Sequence, residues 1–268
     1  MNSKYVCKDT LLRIHSYGKV RFGQYAFYKA NRLVSLPMNE SPKFYRNEMV
    51  GAFYGATKFN QSINHWDTSE VLTMEWMFSG ASSFNQPLDK WDTSKVTNML
   101  CMFRGAESFN QPLNDWNTSN VTDISEMFER AKSFNRELNN WDTSNVTNMS
   151  YMFFSASSFN QPLNNWNTSN VTDMRNMFTN ASSFNQPLGN WNTSKVQNMS
   201  RMFKSALMFN QSLGNWNISN INGSYTRIED IFRYSGLLKD NYCKLFKGKS
   251  KVIWRKYEST LGIFYSCN

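Results

Sequence analysis

The chain has 268 residues, 40% of them hydrophobic, with 29 Lys and Arg against 20 Asp and Glu for a formal net charge of +9. No apolar run reaches the roughly 18 residues that a membrane-spanning helix needs. Residues 1–50 carry nine basic and three acidic residues and 225–268 carry nine and four, leaving eleven against thirteen in 51–224; with no basic stripe along its middle, the chain argues against a nucleic-acid partner.

Met1 to Thr10 is polar and charged and lacks the apolar core of a secretory signal peptide. Arg21 to Pro37 reads as an atypical coil, because Phe27, Ala30 and Leu33 each precede Phe53, Ala56 and Phe59 by 26 residues. The coiled part of the chain is thus expected to begin near Leu12.

From Trp66 the pattern becomes regular. Trp66, Trp91, Trp116, Trp141, Trp166, Trp191 and Trp216 follow one another at 25-residue intervals. A fixed period of this length predicts stacked copies of one supersecondary unit. In the copy WDTSNVTNMSYMFFSASSFNQPLNN, residues 141–165, Met149, Met152, Phe153 and Ala156 have the i, i+3, i+4, i+7 spacing of a short amphipathic helix. Such a helix is too short to persist without its neighbours. Leu163 to Thr168 reads as a short strand, stacked in parallel from coil to coil. Phe159-Asn160-Gln161-Pro162 reads as the corner between them. The Phe and Ala stripes are expected in the core. The asparagines after the corner Phe (Asn60, Asn85, Asn110, Asn135, Asn160, Asn185 and Asn210) are expected to form a ladder onto backbone groups of adjacent coils. The Asp/Asn-Thr-Ser after each Trp reads as a side-chain-stabilised turn.

Past the last regular copy the register slips. Ile228, Ile231 and Phe232 predict one more turn of the same kind after a four-residue insertion around Asn222–Thr226. Leu238 to Phe246 and Val252 to Leu261 predict helical or mixed capping elements. The expected organisation is an N-terminal cap with one or two atypical coils over 1–50, regular repeats over 51–220, and a last irregular coil with a C-terminal cap over 221–268. Cys7, Cys101, Cys243 and Cys267 have no metal-ligand spacing. A bridge between Cys243 and Cys267 and two separate thiols are equally compatible with the sequence. With His15 and His65 as the only histidines, a His-based metal site or triad is not expected. Neither a cofactor motif nor a catalytic constellation stands out.

The motif W-[DN]-T-S-x-V-T-x-M-x-x-M-F-x-x-A-x-S-F-N-Q-P-L, over about 51–220, resembles the Trp/Met/Phe-rich 25-residue subtype of the BspA-type leucine-rich-repeat surface proteins. Gly23, Ala26, Phe27, Leu33, Leu36 and Pro37 resemble the sister form of that repeat. The resemblance implies an α/β repeat fold: a right-handed leucine-rich-repeat-like solenoid with one short strand and one short helix per coil, capped at both ends. It also implies a surface or secreted protein that binds host or partner molecules, and brings no catalytic residues. Since the chain start shows no signal peptide, a cytoplasmic location stays open beside the surface one.

Comparing the copies picks out two varying columns. One is Trp76, Cys101, Glu126, Tyr151, Asn176 and Arg201; the other is Ser79, Arg104, Glu129, Phe154, Thr179 and Lys204. Both are expected on the outer face of the short helices. Within them Trp76, Arg104, Glu126, Tyr151, Phe154 and Arg201 form the candidate interaction surface, since exposed aromatics beside Arg and Glu are typical interface anchors. The expected function is a non-enzymatic scaffold for protein–protein or host-ligand binding, possessing adhesin-like character. Two alternatives stand beside it: a glycan-binding module using the Asn-rich rows, and an intracellular adaptor or structural repeat protein.

Overall fold

The computed structural model describes residues 12–221, 227–247, 251–263 and 265–267. It opens with two short parallel pairs. Strand β1 (Leu12–Arg13) pairs with β3 (Leu33–Ser35), and β2 (Arg21–Phe22) pairs with β4 (Lys43–Phe44). From Glu48 onward a single parallel bridge joins each coil to the next, through Thr73, Asn98, Asp123, Asn148 and Asp173 to Asn198. Each coil therefore lies flat on its neighbour in register.

The region expected to be a helix is a run of tight turns. In the copy that contains Met149, alternate amides leave the coil: those of Met149, Tyr151, Phe153 and Ser155 donate to the carbonyls of Asp173, Arg175, Met177 and Thr179. The amides between them, Met152, Phe154 and Ala156, donate to carbonyls three residues back. Tyr151 and Ser155 hold φ at 56°, which breaks any helical i to i−4 ladder. The expected i, i+3, i+4, i+7 pattern is still satisfied. Successive tight turns also bring Met149, Met152, Phe153 and Ala156 to the inside, where each is 0% exposed. What decides against the helix is the coil alongside, which offers a row of carbonyls that a helix would leave unused.

The expected strand over 163–168 is likewise a turn, closed by the Trp166 amide on the Leu163 carbonyl at 3.2 Å. The parallel pairing sits instead at the bridge column just before the first Met of each turn run. The corner and its asparagine ladder are present. The Asn160 amide donates to Asn135 Oδ1 at 2.9 Å, and Gln161 Nε2 donates to the same oxygen at 3.0 Å. The amides of Asn85, Asn110, Asn135, Asn185 and Asn210 make the same bond to the corner Asn of the coil before.

The core is a set of side-chain columns parallel to the stack. Phe78 stacks on Phe103 at 5.5 Å, Phe153 on Phe159 at 3.9 Å, and Trp141 on Trp166 at 6.3 Å. From Trp91 to Trp216 the ring N–H of each repeat Trp has a partner, which makes Trp usable in this interior. Trp141 Nε1 donates to the Leu113 carbonyl of the preceding coil at 2.8 Å. The buried Thr143 hydroxyl donates the other way, to the Asn167 carbonyl at 3.0 Å.

Residue offsets across the stack report the insertions. Met74 donates to Asn98 in a regular coil, whereas Tyr25 donates to Val50 and Met199 to Arg227. The last offset is four residues longer than the regular one. It places the expected insertion between Ile221 and Arg227, and residues 222–226 themselves lie outside the described residues. Ile228, Ile231 and Phe232 are all buried, as expected. Helices α1 (Lys239–Leu245) and α2 (Lys251–Lys256) and a 3-10 turn at Glu258–Thr260 then close the end. The carbonyls of Thr260 and Leu261 accept from the amides of Asp230 and Phe232 at 2.6 and 2.9 Å. Leu238 N–H and Asn241 Nδ2 cover Asn210, the last rung of the asparagine ladder. Cys243 and Cys267 are bridged, with Cα atoms 5.6 Å apart.

Candidate functional site

Every coil presents its turn run on one side of the stack, and the two varying columns lie there. The first of them, Trp76, Cys101, Glu126, Tyr151, Asn176 and Arg201, occupies the left-handed position of each run, with φ between 55° and 58°. Tyr25 and Gly51 continue the same column toward the N-terminus, at φ 59° and 58°. From this backbone geometry the side chains lie along the stack rather than standing out from a helix. Consequently not all of them are surface residues. Cys101 and Asn176 are only 3% and 6% exposed, and in the second column Ser79, Glu129 and Thr179 are each 5% exposed. These five correct the expectation of an outer face. Trp76, Arg104, Glu126, Tyr151, Phe154 and Lys204 are half-buried and Arg201 is exposed.

The six candidate residues fall into four groups along this side. In the middle, Arg104 Nε bonds Glu129 Oε2 at 3.0 Å and lies 3.4 Å from Glu126. Arg130 approaches Glu129 at 3.5 Å, and the Cys101 thiol donates to Glu126 at 3.4 Å. Burial pushes the Glu129 carboxyl up, against the pull of the Arg104 charge. Burial also raises the Cys101 thiol far above its ordinary value, helped by Glu126. Cys101 is therefore a packed thiol and not a nucleophile.

One coil further on, Tyr151 and Phe154 meet at 5.7 Å, with the Arg175 guanidinium over the Tyr151 ring at 5.9 Å. Toward the C-terminus Arg201 pairs with Glu229 at 2.7 Å. Toward the N-terminus, Trp76 joins an aromatic group that the sequence reading did not single out. Tyr28 stacks on Tyr54 at 5.6 Å, Tyr54 on Trp76 at 5.7 Å, and Tyr25 packs edge-on against both Tyr28 and Tyr54 at 6.1 Å. The signal was available: Tyr28 and Tyr54 are the same column as Ser79 and Phe154, once the columns are extended across the 26-residue step.

The Asn-rich rows are largely occupied by the fold. Asn85 and Asn110 repeat the corner bond at 2.9 Å, and Asn114 and Asn139 accept the amides of Asn140 and Asn165. The turns after Trp are tied by Asp67, Asp92 and Asp142. The hydroxyl and amide of the Ser two residues on hold each of these carboxyls below the ordinary carboxylate range. Among the described residues no three His, Cys, Asp or Glu converge to hold a metal ion. Nor is any described helix long and apolar enough to cross a membrane.

The profile of a family described as "Mycoplasma protein of unknown function, DUF285" matches residues 45–141 and 122–241. The two overlapping matches span most of the chain, which belongs to that family of repeat proteins. No curated protein and no solved structure matches it.

Proposed function

We propose that this DUF285 protein is a non-enzymatic repeat scaffold for protein–protein or host-ligand interaction, adhesin-like, using the side of the stack that carries the turn runs. In the same reading its coils form a right-handed leucine-rich-repeat-like solenoid of the BspA type. The observation that carries it is a contrast between columns. Interior Phe, Met and Trp columns and the Asn and Thr ladders hardly change between coils. The two columns on the turn side change at almost every coil, and where they are not buried they mix half-buried Trp, Tyr and Phe with Arg and Glu. Part-exposed residues of this composition suit a binding surface.

The Cys243–Cys267 bridge supports an oxidising, exported setting. Engagement of Asn114 and Asn139 in the fold weakens the glycan alternative, since their side-chain oxygens already accept the amides of Asn140 and Asn165. The test joins protease shaving of intact producing cells with chemical cross-linking of the full chain. Fragments released from outside, and cross-links lost on Tyr151→Ala with Phe154→Ala, are the expected results. Complete protection of the protein would overturn the adhesin-like part. Cross-links unchanged in the double variant would overturn the choice of face.

A further inference from the structure

The aromatic group at the N-terminal end of the turn side is built differently from the rest of that side. The left-handed column, which bears a side chain in almost every coil, is glycine at Gly51, and the next left-handed column is glycine at Gly55. A Cβ at Gly51 would clash with the Tyr25 ring, 2.3 Å from Cδ1 and Cε1, and one at Gly55 would lie 3.0 Å from Lys29 Cγ. The two glycines thus let Tyr25 and Lys29 lie flat along the stack. That places Tyr25 edge-on to the Tyr28–Tyr54–Trp76 column and only part-covered, as are the other three rings.

The surroundings specify the charge of a partner. Aromatic faces attract cations, most strongly when Trp and Tyr are combined and water is partly excluded. On this side the chain itself supplies a cation to two rings: Lys29 lies over Tyr28, at the edge of the group, at 5.2 Å and Arg175 over Tyr151 at 5.9 Å. Carboxylates flank the aromatic group in the columns beside it. Glu48 accepts from Gln24, the residue next to Tyr25, at 2.9 Å. Glu75, next to Trp76, is fixed by Asn98 Nδ2 at 2.8 Å and is close enough to raise the Tyr25 phenol, whose main perturbation is burial.

We propose that Tyr25, Tyr54 and Trp76, with Glu48 and Glu75 on their flank, form a docking platform for an arginine- or lysine-bearing segment of a partner protein. This rests on the interaction reading given above and names its site and partner chemistry. A neutral glycan would gain nothing from the carboxylates, and an acidic segment would be repelled by them.

The probe is a fluorescein-labelled peptide alternating Arg and Gly, with Gln–Gly and Glu–Gly peptides of equal length as controls. It is titrated against the full chain by fluorescence anisotropy. The chain's net charge of +9 disfavours non-specific attraction of such a peptide, so saturable binding reports a local site. Expected is saturable binding of the Arg peptide alone. The affinity should fall about tenfold in Trp76→Ala, the loss of one strong cation–π contact, and in Tyr54→Ala, which removes the ring stacked beneath Trp76. Glu75→Gln should also weaken it, and thermal melting of each variant shows that it is folded. No binding of the Arg peptide, equal binding by Tyr54→Ala and Trp76→Ala, or preference for the Glu–Gly peptide overturns the proposal. The wider interaction reading would survive those results if cross-linking in cells still depends on Tyr151 and Phe154. Binding of a neutral glycan that requires Trp76, without binding of the Arg peptide, overturns the choice of a cationic protein partner.

Discussion

The regular coils and the C-terminal cap solve one problem in two ways. In the regular coils recurring polar groups are answered from the adjacent copy, as Trp141 Nε1 is by the Leu113 carbonyl and Asn160 N–H by Asn135 Oδ1. In the cap the answers are individual: Thr260 and Leu261 for the turn run, Asn241 for the ladder, and Tyr257 OH on the Ile221 carbonyl at 2.9 Å. The comparison teaches that the middle is redundant and the end is not. Removing a whole coil leaves every partner in place, whereas no second copy of the cap exists.

That difference can be broken most severely by deletion. Removing residues 141–165, one whole coil, should leave a cooperative thermal transition. Removing 141–152 should abolish it, because unlike columns would then face each other. Loss of the transition in both would show that the coils are not interchangeable. Next in size, Trp141→Ala should cost about 3–5 kcal/mol in denaturant unfolding, as for other buried aromatics. Tyr151→Ala, half-buried on the turn side, should cost far less. Equal losses would mean that interior and surface columns are misassigned.

The cap should respond to its bridge. Cys243→Ser with Cys267→Ser should cost about 2–4 kcal/mol, the usual worth of a disulfide closing a loop of this length. Its loosening should appear as faster amide exchange at Asp230 and Phe232 before any at Phe153. Uniform exchange along the chain would contradict a separately held cap.

The smallest effect concerns acid. Asp67, Asp92 and Asp142 have carboxyls held below their ordinary value by Ser hydroxyl and amide donors. A lowered folded value adds stability that is fully present above the unfolded pKa of about 3.9 and is lost as pH falls through the folded value. Asn117, Asn167 and Asn192 make the same turn bond without titrating. Replacing the three aspartates by Asn should therefore flatten the fall of Tm below about pH 4. An unchanged acid profile would show that these turns contribute nothing to it.

Much of this was legible in the sequence, for identifiable reasons. The period, the Phe and Trp columns and the Asn ladder follow from repetition alone, and the insertion before Arg227 from the slip in register. The backbone path of the turn run was not legible, because Met149, Met152, Phe153 and Ala156 satisfy helix and tight-turn spacing alike. Only the hydrogen bonds to the next coil separate the two. The left-handed positions were hidden for a related reason. Glycine marks that conformation at Gly51, Gly55, Gly80 and Gly105, but Tyr151, Arg201 and others hold it without being glycine.

The alternate amides of each turn run always donate toward the next coil and never toward the one before. Met149 gives to Asp173, as Met99 gives to Asp123 and Met199 to Arg227. A chain delivered from its N-terminus, whether by a ribosome or through a translocation channel, thus meets its needs in order of arrival. Each new coil supplies the carbonyls for which the previous one was waiting, and only the newest edge is ever incomplete. Folding can then proceed vectorially, keeping pace with delivery.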